Sequence, residues 1–599
     1  QRCIVLLFCF LLAAGRLAAQ STPTEKLAEG PTKEQQEVVK QQAQALLREV
    51  ADEGGRMRLV QNRIFFQTTA ANLLWESDDK TARNLFQFAM ADVRALFTNP
   101  TDDDDDSKKY RRRAEAGSLR QSLLLSLATH DPKMARAFLR ETHDLATAGG
   151  NEAYGPYGND EQLEISLAMQ IAQNDPDQAL EMGRQTLSKG FSAQIFNLIE
   201  MINKKSPETA AKLTSETITK LKAANISEDR EAASLAIMMF MRGAQLAESN
   251  SKEKDKEKKT TNLLDDAALR DLAEMITQAA MNPGTENYSL SSVAGMLNQL
   301  EKYAPARVKQ LRRKAGTEAA TGEQNVWAEF TRLREEGTVE ELVQAASKPE
   351  NASNAAMFYE AAVTKLITAG ELDKARSLVN EKVPDADSKR RLLATIEQGA
   401  LEQATSKGNL EESRRLLSGV KTNEERIMAL TQLAMSISAK DKKSALILLE
   451  EASNLSTPRA RNYRQLLARL ALVRAYAPID AEQGFAILET SVDQANELLA
   501  ALFLLGEFIA EDEIVRDDEV TVFQLGRSTA SEMQQYKPTV NALAQADFKR
   551  MKAVADRFQR SEIRLMARLL VAQSVLAADN DDPNGSNAFP TPPYGGPID

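Results

Sequence analysis

Cysteine and histidine are nearly missing, with two of each in 599 residues. Both cysteines, Cys3 and Cys9, lie at the very start. A chain that has lost its start therefore holds no disulfide and no thiolate for a metal or a substrate. His130 and His143 are separated by Pro132 and the first turns of a helix. Their spacing puts them about 20 Å apart and some 140° apart around the axis, so one ion cannot take both. Both are expected at the surface or in a cap. Turn residues are also scarce. Gly 27 and Pro 19 give about 8%, below the usual combined share of roughly 12%, which argues against sandwiches, barrels and propellers.

Aromatic residues make up only 5%, with two tryptophans, Trp75 and Trp327. That is too few for the aromatic platforms on which helical toroids process sugars. The net charge of −11 argues against a general nucleic-acid binder, which would need a basic surface to displace counterions. Past the start, the longest apolar stretch is Leu498 to Leu505, bounded by Glu497 and Glu507. It is too short to span a membrane and reads as a buried helix. There is no phosphate-cradling glycine loop, no Gly-x-Ser-x-Gly elbow, no dinucleotide fingerprint and no His pair at i, i+4. No catalytic residue, cofactor or metal site is assigned.

The start itself is informative. Gln1-Arg2 precedes an unbroken apolar run from Cys3 to Ala14, followed by Gly15-Arg16-Leu17-Ala18-Ala19. The pattern is that of a secretory signal, with cleavage after Ala19 and Leu17 at the minus-three position. Cleavage removes Arg2 and Arg16 and makes the remaining chain still more acidic. The expected location is extracytoplasmic, in a periplasm or outside the cell, with no transmembrane anchor after cleavage.

From Lys33 onward the helical period dominates, as in Val39, Ala43, Leu46, Leu47 and Val50. No sustained alternating run argues for strands. What recurs is a junction: one helix ends, an N-cap pair follows, and the next helix carries a small residue early. It occurs at Asp131-Pro132 with Ala135, Asp175-Pro176 with Ala179, and Ser206-Pro207 with Ala210. Asp or Ser caps the open amides, and Pro at the first helical position forfeits no hydrogen bond. Related junctions run from Asp79 to Ala82, Gly370 to Ala375, Gly408 to Ser413, Lys440 to Ser444 and Pro478 to Gly484. Small residues recurring at intervals of roughly 30–45 predict stacked helical hairpins.

The triplets Ala82, Phe86, Ala89 and Ala445, Leu449, Ala452 fall at the spacing of the second helix of a tetratricopeptide repeat. The chain thus resembles the tetratricopeptide-like helical-hairpin repeat proteins over the second-helix half of a few hairpins. The first-helix signature of Trp, Leu-Gly and Tyr is missing. The resemblance implies an α-solenoid with an extended partner-binding surface.

The expected fold is all-α, an irregular α-solenoid of stacked antiparallel hairpins with disordered loops. The expected divisions are a signal peptide at 1–19, a polar leader at 20–32 and an N-terminal repeat region at 33–314. A linker at 315–325, a C-terminal repeat region at 326–578 and a disordered Pro/Gly-rich tail at 579–599 follow. Limited proteolysis is expected at 102–113, 250–261, 315–325 and the tail, and residues from about 326 to 578 are expected to stay folded alone. The five aspartates from Asp102 to Asp106 are consecutive rather than alternating around a Gly turn, and Lys108 to Arg113 neutralise them. They read as a solvated loop rather than a calcium site. Tyr154 and Tyr157, flanking Gly155-Pro156, are the candidate partner contacts. Pro590 to Pro593 suits an extended ligand or a spacer. Asn225, Asn287, Asn351, Asn454 and Asn584 stand in Asn-x-Ser sequons.

Together these features favour an exported, non-enzymatic scaffold that binds a protein or peptide. The alternatives are an envelope polysaccharide-processing enzyme using two of its many carboxylates, or a structural or assembly spacer.

Overall fold

A computed structural model describes residues 32–98, 106–147, 160–224, 226–252, 263–281, 293, 296–315, 330–335, 337–509, 515–516 and 518–576. The expected signal peptide with its expected cleavage after Ala19, the expected linker 315–325 save its first residue, and the tail expected from 579 lie outside the described residues. What is described is all-α. The helices begin with α1 (Lys33–Gly54), α2 (Val60–Leu74) and α3 (Asp79–Thr98). Next come α4 (Asp106–Ala128), α5 (Pro132–Thr147), α6 (Asp160–Ile171), α7 (Pro176–Lys189) and α8 (Gln194–Asn203). They continue as α9 (Pro207–Ala223), α10 (Arg230–Lys252), α11 (Asp266–Met281), α12 (Leu297–Tyr303) and α13 (Pro305–Ala315). After residue 330 follow α14 (Val339–Ala346), α15 (Ala355–Thr368), α16 (Leu372–Lys382), α17 (Ala386–Ser406) and α18 (Leu410–Leu417). The last are α19 (Asn423–Ile437), α20 (Lys442–Leu455), α21 (Tyr463–Tyr476), α22 (Ala481–Ile509), α23 (Val522–Ala546), α24 (Phe548–Asp556) and α25 (Ser561–Leu576). Among the described residues the only strands are β1 (Val515–Arg516) and β2 (Glu519–Val520), an antiparallel pair.

Cap chemistry explains where helices start. Asp175 accepts the amide of Gln178 at 3.0 Å, and Asp131 that of Met134 at 3.0 Å. Ser206 accepts from Thr209. The small residue after each cap is sealed: Ala135, Ala179, Ala210 and Ala375 are buried. Two junctions differ by one position from the sequence reading. Asp78, not Asp79, caps α3 through the amide of Thr81. At α20 the buried small residue is Ala445, because the Ser444 amide is the group that Asp441 caps. Gly370 and Gly408 end α15 and α17 at φ +79° and +66°. Each is followed by an amide that reaches back five residues, Glu371 to Leu366 and Asn409 to Ala404, both at 2.9 Å. This is the left-handed helix stop that glycine accepts without strain.

Three of these caps carry an acid signature. Hydrogen bonds from Thr81, Ser388 and Ser444 hold the Asp78, Asp385 and Asp441 carboxyls below their ordinary value of 3.8. A depressed folded value means the stabilisation is complete above the unfolded value and is lost as pH falls through the folded one. The unfolding midpoint should therefore drop below about pH 4. The triple variant Asp78→Asn, Asp385→Asn, Asp441→Asn, which keeps a capping oxygen, should show a shallower acid drop in a thermal melt series. An unchanged acid slope would remove these caps from the account.

The helices divide into two compact units. Among the described residues, one is built on those from 97 to 315, the other on 32–96 together with those from 330 to 576. In the first, α4 to α13 pack on their nearest and next-nearest neighbours in sequence, as in α4–α5, α6–α7, α8–α9 and α10–α11. The second follows the same rule among α14 to α25, with a core such as Leu433, Leu449 and Leu472 contributed by the consecutive helices α19, α20 and α21. It then departs from it. Helix α1 lies on α25, and α2 touches both α23 and α25, so the N-terminal hairpin occupies the place of the next pair after α25. Residues 33–96 were expected to belong with the region up to 314. They pack with the helices after 330 instead.

Candidate functional site

The residues singled out in the sequence are not brought together. Tyr154 and Tyr157 lie outside the described residues, as do Asp102 to Asp105. His130 sits half-buried in the turn between α4 and α5, where burial pushes its imidazolium down to about 4. His143 is exposed on α5. Among the described residues no group of three or more His, Cys, Asp or Glu could hold a metal ion. No described helix is long and apolar enough to cross a membrane. The sequon at Asn351 is buried, its amide donating to the Ala345 carbonyl at 2.9 Å.

Two arrangements in the second unit have the organisation of a site. The first is polar and joins the chain's two ends. The β1–β2 hairpin, turned through Asp518 at φ +66°, presents Glu519, which is buried. One carboxylate oxygen accepts the Arg58 amide at 2.7 Å; the other accepts the Leu59 amide at 3.0 Å and Asn62 Nδ2 at 3.1 Å. Leu59 is the N-cap of α2 and has no capping side chain of its own, so Glu519 closes the helix start from about 460 positions away. Asn62 also donates to the Val520 carbonyl at 2.8 Å and accepts from the Val522 amide at 3.0 Å. Below it Glu562, 2% exposed, accepts the Val520 amide at 3.1 Å and Arg560 Nε at 2.6 Å. Each carboxylate oxygen here is already bonded within the protein, which marks the arrangement as a clasp rather than a reaction centre.

The second is apolar. A cavity of about 870 Å³, counted with its mouth, opens among α21, α22, α23, α24 and α25. Its walls are Leu470 and Val473, Leu488 and Val492, Val540 and Leu543, Met551 and Val554, Met566 and Leu570. Of its seventeen lining residues only Tyr536 and Thr539 carry a polar side-chain atom. Tyr536 is 6% exposed and its hydroxyl has no hydrogen-bond partner among the described residues. Burial pushes that phenol well above the ordinary tyrosine range, so it remains a donor. Pro538 stands inside α23 two residues on and gives no amide hydrogen to the carbonyl four residues back.

No protein-family model matches this chain, and no curated protein matches it in sequence. Its site must be read from its own chemistry. Neither Glu519 nor Tyr536 carried a sequence signal. Glu519 acts on residues far away in the chain, and Tyr536 reads as one more apolar position on a helix. The interior Pro538 was the one local irregularity pointing there.

Proposed function

We propose that the protein is an exported, non-enzymatic helical-repeat scaffold that binds a protein or peptide partner. The observation that supports this reading is the packing rule itself. From α4 to α13, and among α14 to α25 themselves, each helix packs substantially only on near neighbours, with α1 and α2 added onto α23 and α25. Hairpins stacked this way make an irregular α-solenoid, an architecture whose long surface suits an extended partner. The burial of Ala82, Phe86, Ala89, Ala445, Leu449 and Ala452 fits the tetratricopeptide-like resemblance. The apolar start and the small residues before Gln20 support export.

Two measurements test the reading. Residues 1–30 fused to a reporter enzyme that is active only outside the cytoplasm should give activity, and replacing Leu6, Leu7 and Leu11 by Arg should abolish it. The chain from Gln20, immobilised and exposed to a cell-envelope extract, should retain a protein at fixed stoichiometry that free chain competes away. No competable partner across salt and detergent conditions would sink the scaffold reading. Turnover of envelope polysaccharide lost with a single carboxylate would replace it by the enzyme alternative.

A further inference from the structure

The segment from Ser456 to Asn462 joins α20 to α21 without regular structure, and side chains rather than a backbone ladder hold it. Its anchors on α22 are Thr490, Gln494 and Glu497, whose spacing of four and three positions puts them on one stripe. Gln494, 8% exposed, accepts the Ala460 amide at 3.1 Å and donates to the Ala460 carbonyl at 2.6 Å. Glu497 pairs with Arg459 at the surface. Arg469, on α21, donates to the Thr490 hydroxyl and to the Thr457 carbonyl, both at 2.7 Å, and so ties the segment to α22.

Arg469 is the weak point of this latch. It is 6% exposed, yet both of its acceptors are neutral, and its Nε has no partner among the described residues. Nor does it form an ion pair with a carboxylate among them. From Ala452 to Ile479 the sequence holds five arginines and no Asp or Glu, so no counter-charge is close by in the chain. A guanidinium desolvated in this way favours a rearrangement that returns it to water, and the same burial pushes its pKa down. The rest of the segment offers little resistance. Thr457, Pro458, Arg459, Arg461 and Asn462 are exposed, and Ala460 alone is buried, in a small apolar cluster with Leu466, Leu470 and Tyr536. Leu470 and Tyr536 also line the apolar cavity among α21 to α25.

We propose that Ser456–Asn462 is a strap that opens as a local unit while α20, α21 and α22 stay folded. Opening breaks the hydrogen bonds of Gln494 to Ala460 and of Arg469 to Thr457, hydrates Arg469, and uncovers the Leu470 and Tyr536 end of the cavity. A segment held by a few polar contacts and one alanine belongs to the low-stability end of a structure. The proposal is independent of the scaffold reading, since it concerns one connection within one unit.

The chain from Gln20 holds no cysteine, so Ala460→Cys supplies a single thiol that reports opening. An uncharged maleimide should label it at least about a hundredfold faster than the thiol of Ala475→Cys, a buried site on α21. The rate at 460 should be flat in urea well below the unfolding midpoint, because opening exposes little surface, whereas the rate at 475 should rise steeply. Gln494→Ala should speed labelling at 460 about tenfold and keep it flat in urea. Arg469→Met, which removes the buried charge and keeps an unbranched stem, should slow labelling about threefold or more. Hydrogen exchange of the unsubstituted chain, read on peptides covering 456–462, should show the same urea-independent opening. Equal rates at 460 and 475, a shared urea dependence, no response to Gln494→Ala, or faster labelling with Arg469→Met would each overturn the proposal.

Discussion

Residues 326–578 expressed alone are expected to lose cooperative unfolding, and adding residues 33–98 in trans is expected to restore it. Helix α25 is buried on almost every side, from Ile563 to Val575. One side is covered by α23 and α24, the other by α1 and α2. Removing α1 uncovers the places filled by Val39, Leu46, Leu47 and Val50. At about 1.5–3 kcal/mol for each such side chain, roughly 6–12 kcal/mol of burial is withdrawn, comparable with the whole stability of an ordinary domain. The ion pairs of Arg568 with Glu53 at 2.7 Å and of Lys552 with Glu49 at 3.2 Å go with it. Circular dichroism and a denaturant titration of the fragment decide the matter. A sharp transition at the midpoint of the full chain, unchanged by residues 33–98, would mean that α1 and α2 are an ornament on this unit. The sequence reading had expected that fragment to stand alone.

The second large effect is at the clasp. Glu519→Ala should lower stability by about 2–6 kcal/mol, because it strands the Arg58 and Leu59 backbone amides at about 1–3 kcal/mol for each unsatisfied buried donor and removes one of the two acceptors of Asn62 Nδ2. Glu519→Gln should recover only part of this, since its NH₂ faces a donor where a carboxylate oxygen had accepted one. Glu497→Ala is the control. Its carboxylate pairs with Arg459 at the surface, where such a pair contributes at most about 1 kcal/mol. Combined with Asn62→Ala, the Glu519 variant should be clearly less than additive, because both residues serve one network. Additive effects in that cycle, or a loss at Glu519 no larger than at Glu497, would dissolve the clasp.

What could be read in the sequence was whatever acts within one hairpin. Asp-Pro and Ser-Pro pairs mark helix starts because cap and amide are three residues apart, and Gly370 and Gly408 mark stops because only the local backbone decides them. The all-α character follows from the same short-range periodicity. The pairing of α1 with α25 could not be read this way. Val39, Leu46 and Val50 state that one face of α1 is buried, but an apolar stripe does not name its partner. Glu519 is likewise an ordinary acidic residue until the fold carries it to Leu59. Tyr536 became visible only when five separated helices enclosed one space. The division at 315–325 was argued from a polar stretch, and a polar stretch says where a chain may be cut, not which pieces belong together.

The closure of α1 and α2 onto α25 also sets a schedule for folding. Helices α4 to α13 need only neighbours and can form as they emerge. Helix α1 needs a surface that is about 500 residues downstream. At about 5–20 residues per second, its apolar stripe stays uncovered for roughly 25–100 s of synthesis. The contact between Leu59 and Glu519 has a sequence separation of 460, and so long a loop closes late and slowly. The first helices made are thus among the last to be buried, which makes the interval before α25 arrives the period in which this chain most needs a chaperone.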